Sequence, residues 1–199
     1  MATWFLKNIL DSPTRLKRFR SETSPMLSIP GASEGIGMKI DFPGLRSSQF
    51  IQGLWKESLR LGSASAAARV VRKDTVIEGY RVRQGSVILL PVQLMNSNPE
   101  VFSEPQLFDP NRWLFDPDDK LQLEAQKRQN LNLRSFGGGT GLCSGRFVAE
   151  QEILSVVAAM LLMFDIDIED PAGFQLNPRS IGVMSPAQAV RAKIRRRKQ

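Results

Sequence analysis

The sequence predicts a mainly α-helical fold with small β-sheets. Apolar residues recur at helical spacing in several segments, the longest of them at residues 145–164. Three short runs, "ARVV", "GYRV" and "SVILL", have the composition of strands, and Gly79 and Gly85 stand at their turns. With 199 residues and 42% hydrophobic content, the chain is long enough to bury one core.

Two helices are predicted at the start of the chain. "MATWFLKNIL" has a helical apolar pattern that "DSP" ends. Ser12 is the predicted cap of the second helix and Pro13 its first residue, with Leu16 and Phe19 on its buried side. Residues 22–45 are rich in serine, glycine and proline, and this composition predicts a long loop.

A third helix is predicted over residues 48–62. It carries "QFIQGLWKESLRL", in which Phe50, Leu54 and Leu61 share one face, and Gly62 ends it. Residues 96–118 are rich in asparagine, proline and aspartate and predict an irregular segment. The polar stretch "DPDDKLQLEAQKRQN" that follows predicts a solvent-exposed excursion. Near the end of the chain, "FDIDI" and "AVRAKI" are predicted to pair as strands.

The composition excludes several kinds of chemistry. Cys143 is the only cysteine and the chain has no histidine. An intramolecular disulfide, a multi-cysteine zinc site and a Ser-His-Asp or Cys-His pair are therefore impossible within this chain.

The net charge of +7 comes partly from two basic clusters, Arg15–Arg20 and Arg191–Lys198. We interpret these clusters as solvated faces. A single tyrosine and the absence of interleaved basic and aromatic residues argue against a nucleic-acid partner. The longest apolar run, residues 153–164, is shorter than the roughly 20 residues that a membrane helix needs.

The stretch "SFGGGTGLCSGRF", residues 135–147, places Cys143 among five glycines. It has no lysine, so it is not a phosphate-binding P-loop, and its glycine spacing does not fit the dinucleotide fingerprint. "GLCSG" matches the spacing of a nucleophile elbow, but no histidine is present to activate the thiol.

A single thiolate can still be the axial ligand of a haem iron. Glycines beneath it would let a flat macrocycle lie against the backbone without meeting a β-carbon. The alternative is an inert, buried cysteine in a glycine-rich turn. That alternative leaves the five glycines unexplained, and the residues by themselves leave both interpretations open.

The stretch "FGGGTGLCSGRFVA" resembles the cysteine-loop signature of cytochrome P450, F-x-x-G-x-x-x-C-x-G-x-x-x-A. Phe136, Gly139, Cys143, Gly145 and Ala149 stand at its fixed positions. The resemblance implies that haem b is the cofactor and that Cys143 is its metal ligand. Phe136, Gly139 and Gly145 would form the surrounding loop.

Further residues extend the resemblance. Glu57 and Arg60 in "KESLRL" resemble the family's E-x-x-R, and Arg112 in "FDPNRW" resembles the arginine that completes a structural triad. The alternative for Glu57 and Arg60 is a surface ion pair. Arg69 stands where the family places a basic residue against a haem propionate, and its alternative is an exposed strand arginine. Gly141 departs from the family, which usually has arginine or histidine there, so haem retention would depend more on Arg69.

The resemblance covers the C-terminal part of the cytochrome P450 fold, on the haem-proximal side, as one partial domain over residues 1–199. The start of the chain resembles the end of the family's long central helix. Four segments correspond to family elements: 48–62 to the K helix, 96–118 to the meander, 135–147 to the cysteine loop and 145–164 to the L helix. The distal acid and alcohol side chains and the membrane anchor would lie upstream of Met1, so no catalytic residue is identified in this chain.

The implied activity is that of a monooxygenase acting on a small lipophilic, sterol-like substrate with O₂ and electrons from NADPH-cytochrome P450 reductase. "ESLRLGSAS" resembles the branch that contains cholesterol 7α-hydroxylase and prostacyclin synthase. The implied location is the cytosolic face of the endoplasmic reticulum, or the cytosol if no anchor is attached. Substrate contacts are expected from two small or apolar segments, which contain Ala64, Ser65, Ala66, Ala67, Ile181, Val183 and Met184.

Three alternatives of different class remain at this point. The chain could be a catalytically inactive fragment with weak or no haem binding. It could be a P450-like isomerase or dehydratase that needs no reductase. It could also be a basic binding module without haem.

Overall fold

The structure is a computed structural model that describes residues 1–28, 38–170, 174–175, 177, 180 and 182–197. The fold is mainly helical with small two-stranded sheets, as the sequence predicts. The α-helices are α1 Ala2–Leu10, α2 Pro13–Thr23, α3 Phe42–Ser47, α4 Gln49–Gly62, α5 Val92–Asn96, α6 Lys120–Asn132 and α7 Arg146–Met163.

Short strands pair antiparallel in the described part of the chain. The pairs are β1 Leu27–Ser28 with β2 Lys39–Ile40, β3 Ser63–Ala64 with β9 Gly182–Val183, β4 Ala66–Val70 with β7 Val87–Pro91, β5 Thr75–Ile77 with β6 Tyr80–Val82, and β8 Phe164–Ile168 with β10 Ala192–Arg196. The predicted pairing of "FDIDI" with the C-terminal strand is confirmed by β8 and β10.

Serine caps begin two of the core helices. The Ser12 hydroxyl accepts a hydrogen bond from the Arg15 backbone N–H at 3.3 Å, and Pro13 is the first residue of α2, as predicted. The Ser48 hydroxyl likewise accepts from the Ile51 N–H at 3.2 Å, so α4 begins at the next residue. These caps satisfy N–H groups that a helix start leaves without partners.

The predicted loop over residues 22–45 is wrong for the part that the structure describes; residues 29–37 lie outside it. The chain forms a 3₁₀ turn at Ser24–Met26, then strands β1 and β2, and then α3, which Asp41 caps through the Gly44 N–H at 3.1 Å. Elements of two to six residues are too short to show a hydrophobic period, so composition alone indicated a loop.

The polar stretch after residue 118 is exposed as predicted, but it is a helix, α6, with no buried residue. Asp119 caps it by accepting hydrogen bonds from the backbone N–H groups of Gln122 and Leu121. The bonds from Gln122, and then that from Leu121, lower the pKa of Asp119. Because α6 has no apolar stripe, its helicity depends on this cap and on local propensity.

The core lies where α1, α2, α4 and α7 meet. Phe5 contacts Phe19 and Trp55 edge-on, with ring centroids 6.1 Å apart in both pairs. The other buried apolar side chains of this cluster are Ile9, Leu45, Phe50, Ile51, Leu54, Leu59, Leu154, Val157, Ala158 and Leu161. Four of the members come from α7, so this long helix forms one wall of the core.

Arg20 contradicts our interpretation of the basic cluster Arg15–Arg20 as a solvated face. Its guanidinium donates to the carbonyl oxygens of Leu161 and Phe164, at 2.8 and 3.0 Å, and to the Asp165 carboxylate at 2.7 Å. Arg20 thereby caps the C-terminal end of α7 and links that end to α2. Carbonyl groups at a helix end have no helical partner, and a cation stabilises them.

Gly53 lets the irregular segment approach α4. A β-carbon at this position would lie 2.6 Å from the backbone oxygen of Pro110, in the 3₁₀ turn Pro110–Trp113. Backbone cannot yield as a flexible side chain can. The glycine therefore sets the close packing of that turn on the helix.

We expect Gly53→Ala to lower the free energy of unfolding by about 1–3 kcal/mol, since overpacking outweighs the better helix propensity of alanine. Chemical denaturation of the purified chain measures this. Gly62→Ala is the matched control, because its β-carbon would meet the Met1 side chain rather than backbone. A stability gain in Gly53→Ala would contradict the close contact with the turn.

Candidate functional site

A buried carboxylate lies near the C-terminal end of α4. Glu57 accepts five hydrogen bonds: from Arg60 Nε (2.9 Å) and Nη2 (2.7 Å), Arg112 Nε (2.9 Å), the Trp113 indole N–H (2.9 Å) and the Asp109 backbone N–H (3.1 Å). The side chains of Glu57 and Arg60 are fully buried, and that of Arg112 is 6% exposed. Their burial excludes the surface ion pair considered above.

The two arginines extend this cluster into the irregular segment. Arg60 Nη1 donates to the carbonyl oxygens of Asn96 at 2.8 Å and Pro105 at 2.7 Å. Arg112 Nη1 donates to the Ser103 carbonyl at 3.1 Å. A stretch with little regular structure thus has its backbone carbonyls satisfied by buried guanidiniums.

The same helix holds the cysteine loop. The Ser135 hydroxyl donates to the Leu59 carbonyl at 3.1 Å, and the Phe136 ring lies 6.4 Å from the Trp55 ring. The Cys143 N–H then donates to the Phe136 carbonyl at 3.0 Å, which closes the loop. Two contacts with α4 and one backbone hydrogen bond therefore determine where the cysteine lies.

Cys143 is a free and exposed thiol. The alternative of a buried cysteine therefore does not describe this thiol. A β-carbon at Gly145 would lie 3.8 Å from its sulfur, and Arg146, the first residue of α7, donates from Nη1 to the Cys143 carbonyl at 2.9 Å. The sulfur of Cys143 is therefore accessible, while the backbone of this residue is fixed by a hydrogen bond from Arg146.

The glycines around the thiol leave an open surface. Gly137 and Gly139 have φ angles of +78° and +60°, which side-chain-bearing residues rarely adopt. A β-carbon at Gly139 would meet no atom within 4 Å, so the space beside the loop is empty. The free sulfur and this open surface fit a planar cofactor lying against the loop.

A cavity of about 350 Å³ adjoins the loop. Two guanidiniums line it: Arg69 from β4, and Arg134, whose side chain lies against Gly138. The apolar part of its lining consists of Ala67, Leu90, Val92, Met95 and Leu131. An apolar cavity with two cations fits an apolar group that carries carboxylates.

Two residues of this region were not expected from the sequence. Arg134 precedes the loop without any recurring pattern, and only the cavity reveals it. Trp113 belongs to the buried cluster through its indole N–H. The aromatic residue that directly follows Arg112 could have indicated it, since a buried indole needs an acceptor.

The expected substrate contacts lie in different strand pairs. Ala64 in β3 pairs with Gly182 in β9, next to Val183, whereas Ala66 and Ala67 lie in β4, which pairs with β7. Val183 is exposed, whereas Met184 is 5% exposed and its backbone binds the Gly62 carbonyl and the Trp4 indole. Ile181 lies outside the described residues.

Lys56 links α4 to α6. Its ammonium donates to the Asn130 side chain at 3.3 Å and lies 5.3 Å from the centre of the Trp113 ring. Burial lowers the pKa of Lys56, and the carboxylate of Glu150 partly offsets this effect.

A multidentate metal site does not occur in the described part of the chain: no three carboxylates, thiols or imidazoles come together there. None of the described helices is long and apolar enough to cross a membrane.

The profile of the cytochrome P450 family matches residues 2–193. The chain therefore belongs to the cytochrome P450 family. The heme domain of cytochrome P450DA superposes on 99% of this chain with a TM-score of 0.75 at 22% identity, and the match covers 40% of that domain. This likeness confirms the fold.

Curated relatives include sterol-metabolising enzymes. Cytochrome P450 7B1 of Mus musculus is 28% identical over 94% of this chain and 39% of its own length. Cholesterol 7-alpha-monooxygenase of Cricetulus griseus is 29% identical over 83% of this chain and 34% of its own length. Cytochrome P450 monooxygenase nodJ of Hypoxylon pulicicidum is 31% identical over 82% of this chain. The chain spans between a third and two-fifths of the length of these relatives.

We expect Glu57→Ala to lower the free energy of unfolding by about 3–5 kcal/mol, because it leaves two buried guanidiniums without their carboxylate. Denaturant titration measures the change. Glu124→Ala is the matched control: it removes the exposed i, i+3 partner of Lys127 and should cost less than ~0.5 kcal/mol. Equal effects of the two substitutions would show that burial adds nothing to the cluster.

Proposed function

We propose that this chain supplies the proximal, thiolate half of a haem site in a cytochrome P450 monooxygenase. Cys143 would ligate the haem iron, and Phe136, Gly139 and Gly145 would form the loop that holds haem b. Arg69 faces its carboxylates. Glu57, Arg60 and Arg112 are structural and hold the irregular segment on α4, the helix that the loop contacts.

The observation that carries this proposal is an exposed thiol on an open glycine surface beside a cavity with two cations. Each feature matches one part of the cofactor: sulfur for the iron, bare backbone for the flat face, and guanidinium for the propionates. When bound, haem supplies the iron at which dioxygen is reduced, and a thiolate ligand donates electron density to that iron.

The residues of this chain bind and orient the cofactor. The contacts of Ser135 and Phe136 with α4 hold the start of the loop, and the hydrogen bond from the Cys143 N–H sets the position of the sulfur-bearing residue. The Arg69 guanidinium provides the charge that pairs with a carboxylate at the edge of the loop.

The substrate class that we propose is a small lipophilic, sterol-like molecule, because the names of several relatives, such as cholesterol 7-alpha-monooxygenase and 25-hydroxycholesterol 7-alpha-hydroxylase, contain a sterol. Ala64, Ser65, Ala66, Ala67, Val183 and Met184 are the proposed contact residues. The proposed electron donor is NADPH-cytochrome P450 reductase, and the proposed location is the endoplasmic reticulum membrane. Both follow from membership of the family.

A second candidate is a chain that binds haem weakly and does not turn over on its own. The match to only 33–39% of the relatives' length favours it.

The experiment is a hemin titration of the purified chain, alone and after co-expression with the N-terminal part of cytochrome P450 7B1. We expect a thiolate-type Soret band in the reduced, carbon-monoxide-bound form. Cys143→Ser should abolish that band and Ser144→Ala, the matched control beside it, should retain it. A band in the co-expressed preparation alone would favour the second candidate.

Absence of the thiolate band from both wild-type preparations would overturn the haem proposal. Its persistence in Cys143→Ser would show that another atom is the ligand. Turnover of a sterol only when the reductase is added separates a monooxygenase from a P450-like isomerase, which needs no electrons.

A further inference from the structure

Arg69 reaches from β4 across to the cysteine loop. Its Nη1 donates to the Ala68 carbonyl at 2.8 Å, and it forms no ion pair with a carboxylate among the described residues. Arginine carries five N–H donors, so most of this guanidinium remains free to bind an anion. The side chain is exposed, and its Nη2 atom lies beside Gly141 of the loop.

Gly141 is the point at which Arg69 meets the loop. A β-carbon on Gly141 would lie 2.7 Å from Nη2 and 3.7 Å from Cζ of Arg69. Heavy atoms at 2.7 Å overlap unless they form a hydrogen bond, and carbon cannot form one here. The guanidinium therefore occupies the space that the first atom of any side chain at position 141 would fill.

The other loop glycines have different reasons to be glycine. Gly137 and Gly139 adopt positive φ angles, so their backbone conformation requires it. Gly138 is extended, and a β-carbon there would make only ordinary contact, 3.5 Å from Arg134 Nη1. Gly141 has no positive φ. The Arg69 guanidinium is the group that a side chain at this position would displace.

We propose that Gly141 is a positioning residue for Arg69. By leaving this space empty, it lets a guanidinium from β4 stand beside the loop, two residues before the thiol, where it pairs with a peripheral carboxylate of the cofactor. The identity of that carboxylate rests on the function proposed above. The steric relation between positions 141 and 69 is present without the cofactor.

The first test measures the affinity of the chain for hemin, with the Soret band as the signal. We expect Gly141→Ala to weaken binding by roughly tenfold, as when a charge-assisted hydrogen bond is displaced, and Arg69→Ala to do the same. The double variant should be no weaker than Arg69→Ala, because both changes act through one guanidinium. Ser144→Ala, a small change in the same loop, is the matched control and should stay within about twofold of wild type.

Two results would overturn the inference. One is wild-type affinity in Gly141→Ala; the other is a double variant whose losses multiply, which would mean that Gly141 acts independently of Arg69. Thermal midpoints separate positioning from folding. The Arg69 side-chain end can move aside, so Gly141→Ala should melt within a few degrees of wild type, whereas a purely structural role would lower the midpoint.

The second test needs no haem, so it stands even if the proposed function fails. In the ¹⁵N-labelled chain without hemin, the Arg69 Nε–H signal is assigned through its loss in Arg69→Lys. We expect Gly141→Ala to shift that signal and Gly138→Ala to leave it in place. A signal that Gly141→Ala does not move would show that the two residues do not share this space, whatever the chain binds.

Discussion

One buried carboxylate organises this molecule. Glu57 is fully enclosed, and burying a charge without partners costs several kcal/mol. Five N–H donors offset that cost, and four of them come from residues 60, 112 and 113. The fifth is the Asp109 backbone. The carboxylate therefore requires the irregular segment to lie on α4, and the segment in turn depends on the carboxylate.

The position of the thiol follows from this arrangement. Leu59, two residues after the carboxylate, offers its carbonyl to Ser135, and Trp55, two residues before it, contacts Phe136. Both contacts at the start of the cysteine loop are thus made with α4, the helix that carries Glu57. A loop rich in glycine has high conformational entropy in the unfolded chain, and such anchors offset the cost of ordering it.

The sequence predicted elements that carry their own local signals. Ser12 and Pro13 mark a helix start by their chemistry, and Ser48 does so too. Helix α6 was not predicted as a helix, because no apolar stripe distinguishes it from an exposed loop. α3 and strands β1 and β2 are too short to show a period, so composition was the only signal there.

The residues of the candidate site also fall into those with a local sequence signal and those without one. Cys143 and its glycines follow a fixed spacing that a linear sequence displays, whereas Arg134 and Trp113 become relevant only through distant contacts. In the sequence, Gly141 is noticed only because the family usually has arginine or histidine at this position. In the structure, the absence of a side chain at Gly141 leaves room for the guanidinium of Arg69, 72 positions earlier in the chain. The spacing of residues within one segment cannot reveal such a contact.

The position of Trp55 has an optical consequence. Its indole contacts Phe5 in the core on one side and Phe136 in the loop on the other. An excited indole passes energy to a nearby tetrapyrrole very efficiently. Haem bound beside Phe136 would therefore quench the fluorescence of Trp55. The tryptophan emission of the chain would then report whether the cofactor is bound.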